Sequence, residues 1–298
     1  IRRPLLKTIV FQYRLRRLHA DDIVFIKALI DQHFLRGRSY ISRELCKSWN
    51  WIQPNGRLKE YASRDLLLRL EEQGFIQLPP RIRQKNNLRL KTFDQTPLFI
   101  KRELGGTITE YGTLTIQVVK GLQEKYLWGS LLHHYHYLGN PSLVGEHIRH
   151  IAYIDNQVVA CLGWASAAWK VKDRDRFIGW DESAKRTHSH LIANNVRFLI
   201  PPWVTIKHLA SKVLSLALKR LSNDWETIYG HPLFLAETFV DTARFKGICY
   251  QAANWLRVGK TKGSAKRGNT YRYHGQPKDI YLYPLHRNFR RFLVHDQG

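Results

Sequence analysis

The sequence has no C-x-x-C pair: its three cysteines, Cys46, Cys161 and Cys249, stand far apart. Neither a zinc knuckle nor a disulfide framework fits that spacing, and the three read as buried thiols in a reducing compartment. No apolar run approaches the roughly 18 residues of a membrane span, and the basic N-terminus is not followed by an apolar signal region. The expectation is a soluble, cytoplasmic protein with no membrane partner. A start at Ile1 instead of Met leads us to expect further sequence ahead of it. Acidic residues are scarce as well, with 24 Asp and Glu against 48 Lys and Arg and a formal net charge of +24. A field of that sign attracts polyanions, so nucleic acid is the expected partner. Internal repeats and low-complexity tracts are lacking.

What is present is enough apolar residue for a core: 298 residues at 44% hydrophobic content suit one large domain or two smaller ones. The charge is uneven. Residues 1–103 carry 22 Lys/Arg against 10 Asp/Glu, a net of +12, and residues 256–298 carry 10 against 2, a net of +8. Residues 104–255 hold 16 against 12, so two cationic ends flank a more neutral body.

In residues 21–36, DDIVFIKALIDQHFLR, apolar positions recur among charges behind an acidic start that suits a helix N-terminus. SYISRELCKSW gives a second helix through Ile41, Leu45 and Trp49, followed by a Pro-Asn-Gly turn. A third runs from about Leu58 to Gln73 with Leu66, Leu67 and Leu70 inward and Gly74 as its stop, and FIQLPP is a short strand closed by prolines. Three helices and a strand match a winged helix-turn-helix over residues 1–80, whose third helix enters the major groove. Arg57, Lys59, Arg64 and Arg69 are then either groove-side and phosphate-side charges or the solvated surface of a helical subdomain. Residues 81–113 read as a linker.

From residue 114 strands and helices alternate. TLTIQVV is strand-like, GLQEKYLWGSLLHHYHYLG helical, and HIRHIAYI and QVVACLGWASAA form a hairpin about Asp155-Asn156. NNVRFLI, PLFLAETFV and KDIYLYPL are strands; VTIKHLASKVLSLALKRL and ARFKGICYQAANW are helices. The fold class is α+β, a winged helix-turn-helix followed over residues 114–298 by a mixed α/β domain with a basic C-terminal loop. The order of elements in residues 114–285 resembles the GNAT acyltransferase fold. That resemblance implies a glycine-rich loop for the coenzyme A pyrophosphate, whereas PPWVTIKHLASKVL has no glycine, which counts against acyl-CoA binding.

Glu237 and Asp241, with Asp175 of KDRDRFIGWDE, are the carboxylates that could hold a divalent ion such as Mg2+ for phosphodiester cleavage. Two positions four apart on one strand lie about 13 Å from each other, however. Asp241 could instead cap the helix that follows, Glu237 could be neutralised by an arginine, and residues 172–182 could be a solvated loop of local salt bridges. His133, His134 and His136 lack the spacing of a metal motif, and no metal ligand set is assigned. Tyr250 is either a nucleophile toward phosphate or a helix-face tyrosine. VGKTKGSAKRGNTYRYHG brings Lys260, Lys262, Lys266, Arg267 and Arg272 together with Tyr271 and Tyr273, a composition suited to a nucleic-acid backbone; Arg197 is a further phosphate-binding candidate.

Taken together, SRELCKSWNWIQPNGRLKEYASRDLLLRLEEQGFIQLPP, RDRFIGW, NNVRFL, ETFVD, YQAANW and VGKTKG resemble the DruA family of the Druantia anti-phage system, whose relatives also travel with mobile elements. The resemblance spans residues 39–285. It singles out Arg174, Asp175, Gly179, Trp180, Asn195, Arg197, Glu237, Asp241, Tyr250, Asn254, Trp255, Gly259, Thr261 and Gly263, and it assigns no reaction. Where the family continues as Arg-Gly-Arg, this chain has Ser264-Ala265-Lys266-Arg267. The leading expectation is a DNA-binding protein of phage defence or a mobile element. If it is an enzyme, the activity is metal-dependent DNA nicking or a transposase-like strand-processing reaction. The alternatives are a non-catalytic DNA-recognition module that recruits a helicase or nuclease, and a GNAT-type N-acyltransferase.

Overall fold

The structure is a computed structural model, and it describes residues 9–13, 16–53, 56–80, 99–143, 145–267, 270–273 and 275–295. The chain divides into two compact units, Ile1–Lys91 and Thr92–Gly298.

The N-terminal unit begins with β1 (Ile9–Tyr13) paired antiparallel to β2 (Arg16–His19), followed by α1 (Ala20–Gln32), α2 (Arg38–Ser48) and α3 (Glu60–Glu72). The Asp22 carboxylate accepts the His19 N–H at 2.8 Å and so anchors the acidic first turn of α1. α1 ends at Gln32, short of the expected helix of residues 21–36, and Phe34–Arg36 continue as a 3-10 turn; Gly37, at φ +79°, then separates them from α2. Ile26, Ile41, Leu45, Leu66, Leu67 and Leu70 interlock in one core. Each such side chain contributes about 1.5–3 kcal/mol by leaving water. The strand expected at FIQLPP is not formed. Ile76 and Leu78 are buried, but the Leu78 N–H goes to the Glu71 carboxylate at 3.1 Å instead of a sheet partner. The three helices are present; the strand that would complete a wing is not among the described residues.

In the C-terminal unit, β3 (Thr115–Val118), α4 (Leu122–Tyr135), β4 (His147–Ile154), β5 (Gln157–Ser166), α5 (Lys172–Ile178) and α6 (Glu182–His188) come first. They are followed by β6 (Ile192–Leu199), α7 (Leu209–Tyr229), β7 (Leu235–Asp241), α8 (Ile248–Ala252), β8 (Leu256–Lys260), β9 (Ser264–Arg267), β10 (Thr270–Tyr273), β11 (Lys278–Pro284) and α9 (Phe289–Val294). The architecture is mixed α+β. Seven strands form one sheet in the order β3-β4-β5-β6-β7-β11-β8, while β9 and β10 form a separate hairpin. Asp155 and Asn156 both have positive φ, the geometry of a tight two-residue hairpin, so β4 and β5 meet where the sequence places them. One core gathers Trp128 of α4, Val213, Leu218 and Trp225 of α7, and Tyr250 of α8; a second gathers Ile178, Trp180, Ile280 and Leu293.

Several expectations change here. Of the expected linker, residues 81–98 lie outside the described residues, and Leu104, Ile108 and Tyr111 pack against the core of the C-terminal unit. Residues 172–182 are not a loop: Gly179, at φ +83°, ends α5, and Asp181 accepts the Ala184 N–H at 2.7 Å to start α6. The basic segment expected as a loop after Trp255 forms β8, β9 and β10. No helix among the described residues is long and apolar enough to cross a membrane.

Candidate functional site

The candidate site lies where two parallel strands part. β6 and β7 pair only at Ile192 with Leu235, Ala193 with Ala236 and Asn194 with Glu237. Beyond that point β7 stays with β11, which it matches from Leu235 to Asp241. Opposite Gly163 and Trp164 the register of β6 against β5 shifts by one residue, a bulge of the kind that bends a strand. The divergence opens a cleft of about 790 Å³ bordered by the end of α4, both strands, and the turn into α8. Gly247 (φ +71°) is required at that turn, since a Cβ there would lie 2.6 Å from the Tyr281 hydroxyl.

Buried polar groups brace one wall. The Tyr250 hydroxyl donates to Asn195 Oδ1 at 2.9 Å, and Asn195 Nδ2 donates to the carbonyls of Gly163 and Arg197, both at 3.2 Å. Burial pushes the Tyr250 phenol well above its ordinary value. Tyr250 is therefore a bracing residue whose hydroxyl is already committed.

Arg197 has a different environment. Its guanidinium donates to the carbonyls of Gly139 (3.0 Å), Val196 (2.7 Å) and Leu138 (3.3 Å), and to no carboxylate among the described residues. Burial draws its pKa below the ordinary arginine value, as expected of a desolvated cation without a counter-ion. Lys246 and Lys278 also line the cleft without a carboxylate partner among the described residues. His136 is held down to about 4, first by burial and then by Arg197, so it is neutral at pH 7. At the mouth stand Tyr137 and Phe245, 40% and 49% exposed, with ring centroids 5.3 Å apart.

The expected carboxylates do not converge. Glu237 is fully buried, with Oε2 accepting from Arg174 at 2.8 Å and Oε1 from the Ala168 N–H at 2.8 Å. Asp175 accepts from the same Arg174 at 2.7 Å and pairs with Lys185 at 2.9 Å. Burial works against the Arg174 charge, but Glu237 and Asp175 outweigh it and raise its pKa. Thus Glu237 and Asp175 are joined through one arginine and already have cationic partners. Asp241 lies on the cleft, four strand positions from Glu237 on an unbroken β7. It does not cap a helix: Oδ1 accepts the Ala243 N–H at 3.1 Å in a turn, Arg244 stands 3.6 Å away, and α8 begins only at Ile248. No group of three or more His, Cys, Asp or Glu side chains among the described residues is placed to hold a metal ion. Mg2+ therefore has no fitting donor set among these carboxylates.

The expected nucleic-acid residues are scattered. Arg197 alone is in the cleft. Lys260 faces Asp279 at 4.0 Å, Lys262 is exposed, and Lys266, Arg267 and Arg272 lie on the β9–β10 hairpin. In the N-terminal unit Arg57 is exposed before α3, Lys59 precedes its first turn, Arg64 lies over the Tyr61 ring, and Arg69 pairs with Asp65 at 3.2 Å. α3 itself carries two arginines against Glu60, Asp65, Glu71 and Glu72, an unfavourable balance for a helix that enters a groove. Lys246, Lys278 and Phe245 were missed, because nothing in their local sequence shows that two strands separate between them.

The backbone before α7 is engaged as well. The N–H groups of Val204, Thr205 and Lys207 donate to the carbonyls of Pro201, Leu104 and Gly106, at 2.9, 2.7 and 2.9 Å, so they are not available to a pyrophosphate.

A family model described as Druantia protein DruA matches residues 69–270. No curated protein matches the chain. Among solved structures, the chain is similar to an N-acetyltransferase from Staphylococcus aureus at 12% identity, over 58% of this chain and 99% of that one, with a TM-score of 0.38. The aminoglycoside acetyltransferase AAC(6')-Ib in complex with coenzyme A is similar at 15% identity, over 59% and 96%, with a TM-score of 0.40. A GNAT-family acetyltransferase from Streptococcus pneumoniae is similar at 12% identity, over 58% and 99%, with a TM-score of 0.37. The likeness is partial and brings no activity to this chain.

Proposed function

The chain belongs to the DruA family, and on that premise we propose that it serves anti-phage defence as a DNA-binding protein whose C-terminal unit recognises nucleic acid at the β6–β7 cleft. The observation that carries this reading is Arg197: a half-buried guanidinium that spends its donors on carbonyls and keeps its charge uncompensated. A phosphate is the natural counter-ion, and the net charge of +24 brings polyanions toward it. Lys246, Lys278 and the rings of Tyr137 and Phe245 supply the mixture of cations and stacking surface that single strands use. Recognition is favoured over cleavage, because Glu237 and Asp175 are consumed by Arg174. The N-terminal helices are the second DNA contact in this reading, with the basic turn at Arg57 and Lys59 meeting phosphates. A helicase or nuclease partner would then supply the reaction.

Fluorescence anisotropy with single- and double-stranded DNA tests the proposal. Binding should weaken steeply with salt, and Arg197→Gln should flatten the log–log slope by about 1. An unchanged slope, or a nicked product with Mg2+ that disappears in Asp241→Asn, would replace recognition with another account. Acyl transfer is a second reading, favoured by the parting of parallel β6 and β7 around a cleft. It requires calorimetric binding of acetyl-CoA, against which the engaged N–H groups of Val204, Thr205 and Lys207 stand.

A further inference from the structure

Helices α5, α6 and α9 cover the second core of the C-terminal unit, where Ile178, Ala184, Phe289 and Leu293 are buried against Ile280 and Leu282. In the segment that leads from β5 into α5, Trp169 is 47% exposed. Its place is fixed from beneath. The N–H of the preceding Ala168 donates to Glu237 Oε1 at 2.8 Å, and the Ala168 carbonyl accepts from Arg174 at 2.6 Å. The Lys185 ammonium stands over the indole, 5.3 Å from the ring centroid, and is itself held by Asp175 at 2.9 Å. The buried Arg174–Glu237 pair thus grips both backbone polar groups of the residue next to an exposed aromatic ring. Such a pair gains little net stability over apolar packing, and what it fixes here is the seat of the ring.

The charges around the ring divide by direction. The carboxylates have partners within the fold: Asp173 accepts the Lys260 N–H at 3.1 Å, Asp175 binds Arg174 and Lys185, and Glu182 binds Lys185 at 3.2 Å. The cations face out. Lys172 and Arg176 lie one turn apart on the exposed side of α5, away from the buried Arg174 and Ile178, with the Arg176 side chain 71% exposed and 3.8 Å from Asp173. Near the C-terminal end of α5 the exposed Arg290 donates to the Phe177 carbonyl at 3.2 and 3.0 Å and, like Arg197, pairs with no carboxylate among the described residues. Trp169 and Arg290 therefore bracket a helix about 10 Å long. A stacking ring followed by a row of cations is the arrangement along which single strands bind, with bases on the ring and phosphates on the charges. We infer that this face is a second nucleic-acid surface, on which Trp169 stacks with an unpaired base while Lys172, Arg176 and Arg290 meet the adjoining phosphates. It shares with the reading of the cleft the premise that the protein binds nucleic acid, and it uses none of the cleft's residues.

Anisotropy of the full chain with labelled oligo(dT) and with a duplex of the same length tests this. Trp169→Ala should weaken single-strand binding about tenfold with the salt slope unchanged, Trp169→Phe should keep most of the affinity, and duplex binding should change less than about twofold in both. The combined Lys172→Gln and Arg176→Gln variant should instead flatten the single-strand log–log salt slope by about 1.4. An iodouracil-substituted strand should photo-cross-link to the peptide that carries Trp169. Binding by Trp169→Ala equal to the parent's, or cross-links confined to Tyr137 and Phe245, overturns this surface and leaves the cleft as the site. So does an equal loss for single strand and duplex, since a ring that stacks on an unpaired base has no such target in a duplex. No DNA binding by the parent chain overturns this surface and the functional reading together.

Discussion

Arg174 of α5 and Arg197 of β6 have reached opposite electrostatic ends. Arg174, 1% exposed, is closed by Glu237 and Asp175, with the Ala168 carbonyl at 2.6 Å completing the set. Arg197 is held by three carbonyls, which orient the guanidinium without neutralising it. A carboxylate removes an arginine from chemistry with outside anions; a carbonyl leaves it available. The first arginine therefore belongs to the architecture, and the second is the one we propose for recognition.

The comparison breaks most easily at Arg174. Arg174→Met strands the Glu237 charge in a closed core, and urea unfolding should show a loss of about 3–5 kcal/mol, most of it regained in the double variant with Glu237→Leu. A single variant as stable as the parent would return Glu237 to the list of reactive groups. Glu237→Gln keeps the shape and the Ala168 hydrogen bond, so the loss should be smaller, about 1–3 kcal/mol, with DNA binding unchanged. On the other side, Arg197→Gln should move the unfolding midpoint little while lowering DNA affinity and its salt dependence. If stability and binding fall together instead, the two arginines are not different in kind.

The smallest expected effect is a pH dependence that also reads Arg197. His136 ordinarily titrates at 6.5 and is held at about 4 in the fold, so the folded state prefers the neutral ring. Its contribution to stability is complete above pH 6.5 and is lost as the pH falls toward 4. His136→Gln should flatten the decline of Tm across that window, and Arg197→Gln should move the His136 titration, followed by NMR, upward. No movement would place Arg197 too far away to act on the ring.

Much of the fold was legible along the chain. The hairpin at Asp155-Asn156 is marked by its turn residues, α7 by its apolar period, and the end of α3 by Gly74. The misreadings arise where local pattern met a tertiary requirement. FIQLPP has strand composition but found no partner, because the Glu71 carboxylate took its Leu78 N–H. ARFKGICYQAANW has helix composition, yet its helix is confined to Ile248–Ala252 because Asp241 first folds the chain into a turn behind β7 and Gly247 sets the entry. The Arg and Asp alternation of residues 172–182 was correctly seen as ionic, but its central arginine turned inward to Glu237.

The sequence by itself determined the positive field, the succession of strands and helices, and the set of residues from which a site could be made. Those properties depend on composition and on neighbours a few positions apart. Only the tertiary structure decided which carboxylates were spent and left Arg197 without one among the described residues. Glu237 lies 63 positions from Arg174, and Asn195 lies 55 from Tyr250. Charge compensation is settled by distance in space, and the parting of β6 from β7 brings Arg197 and Lys278 to one cleft without placing a carboxylate against the arginine.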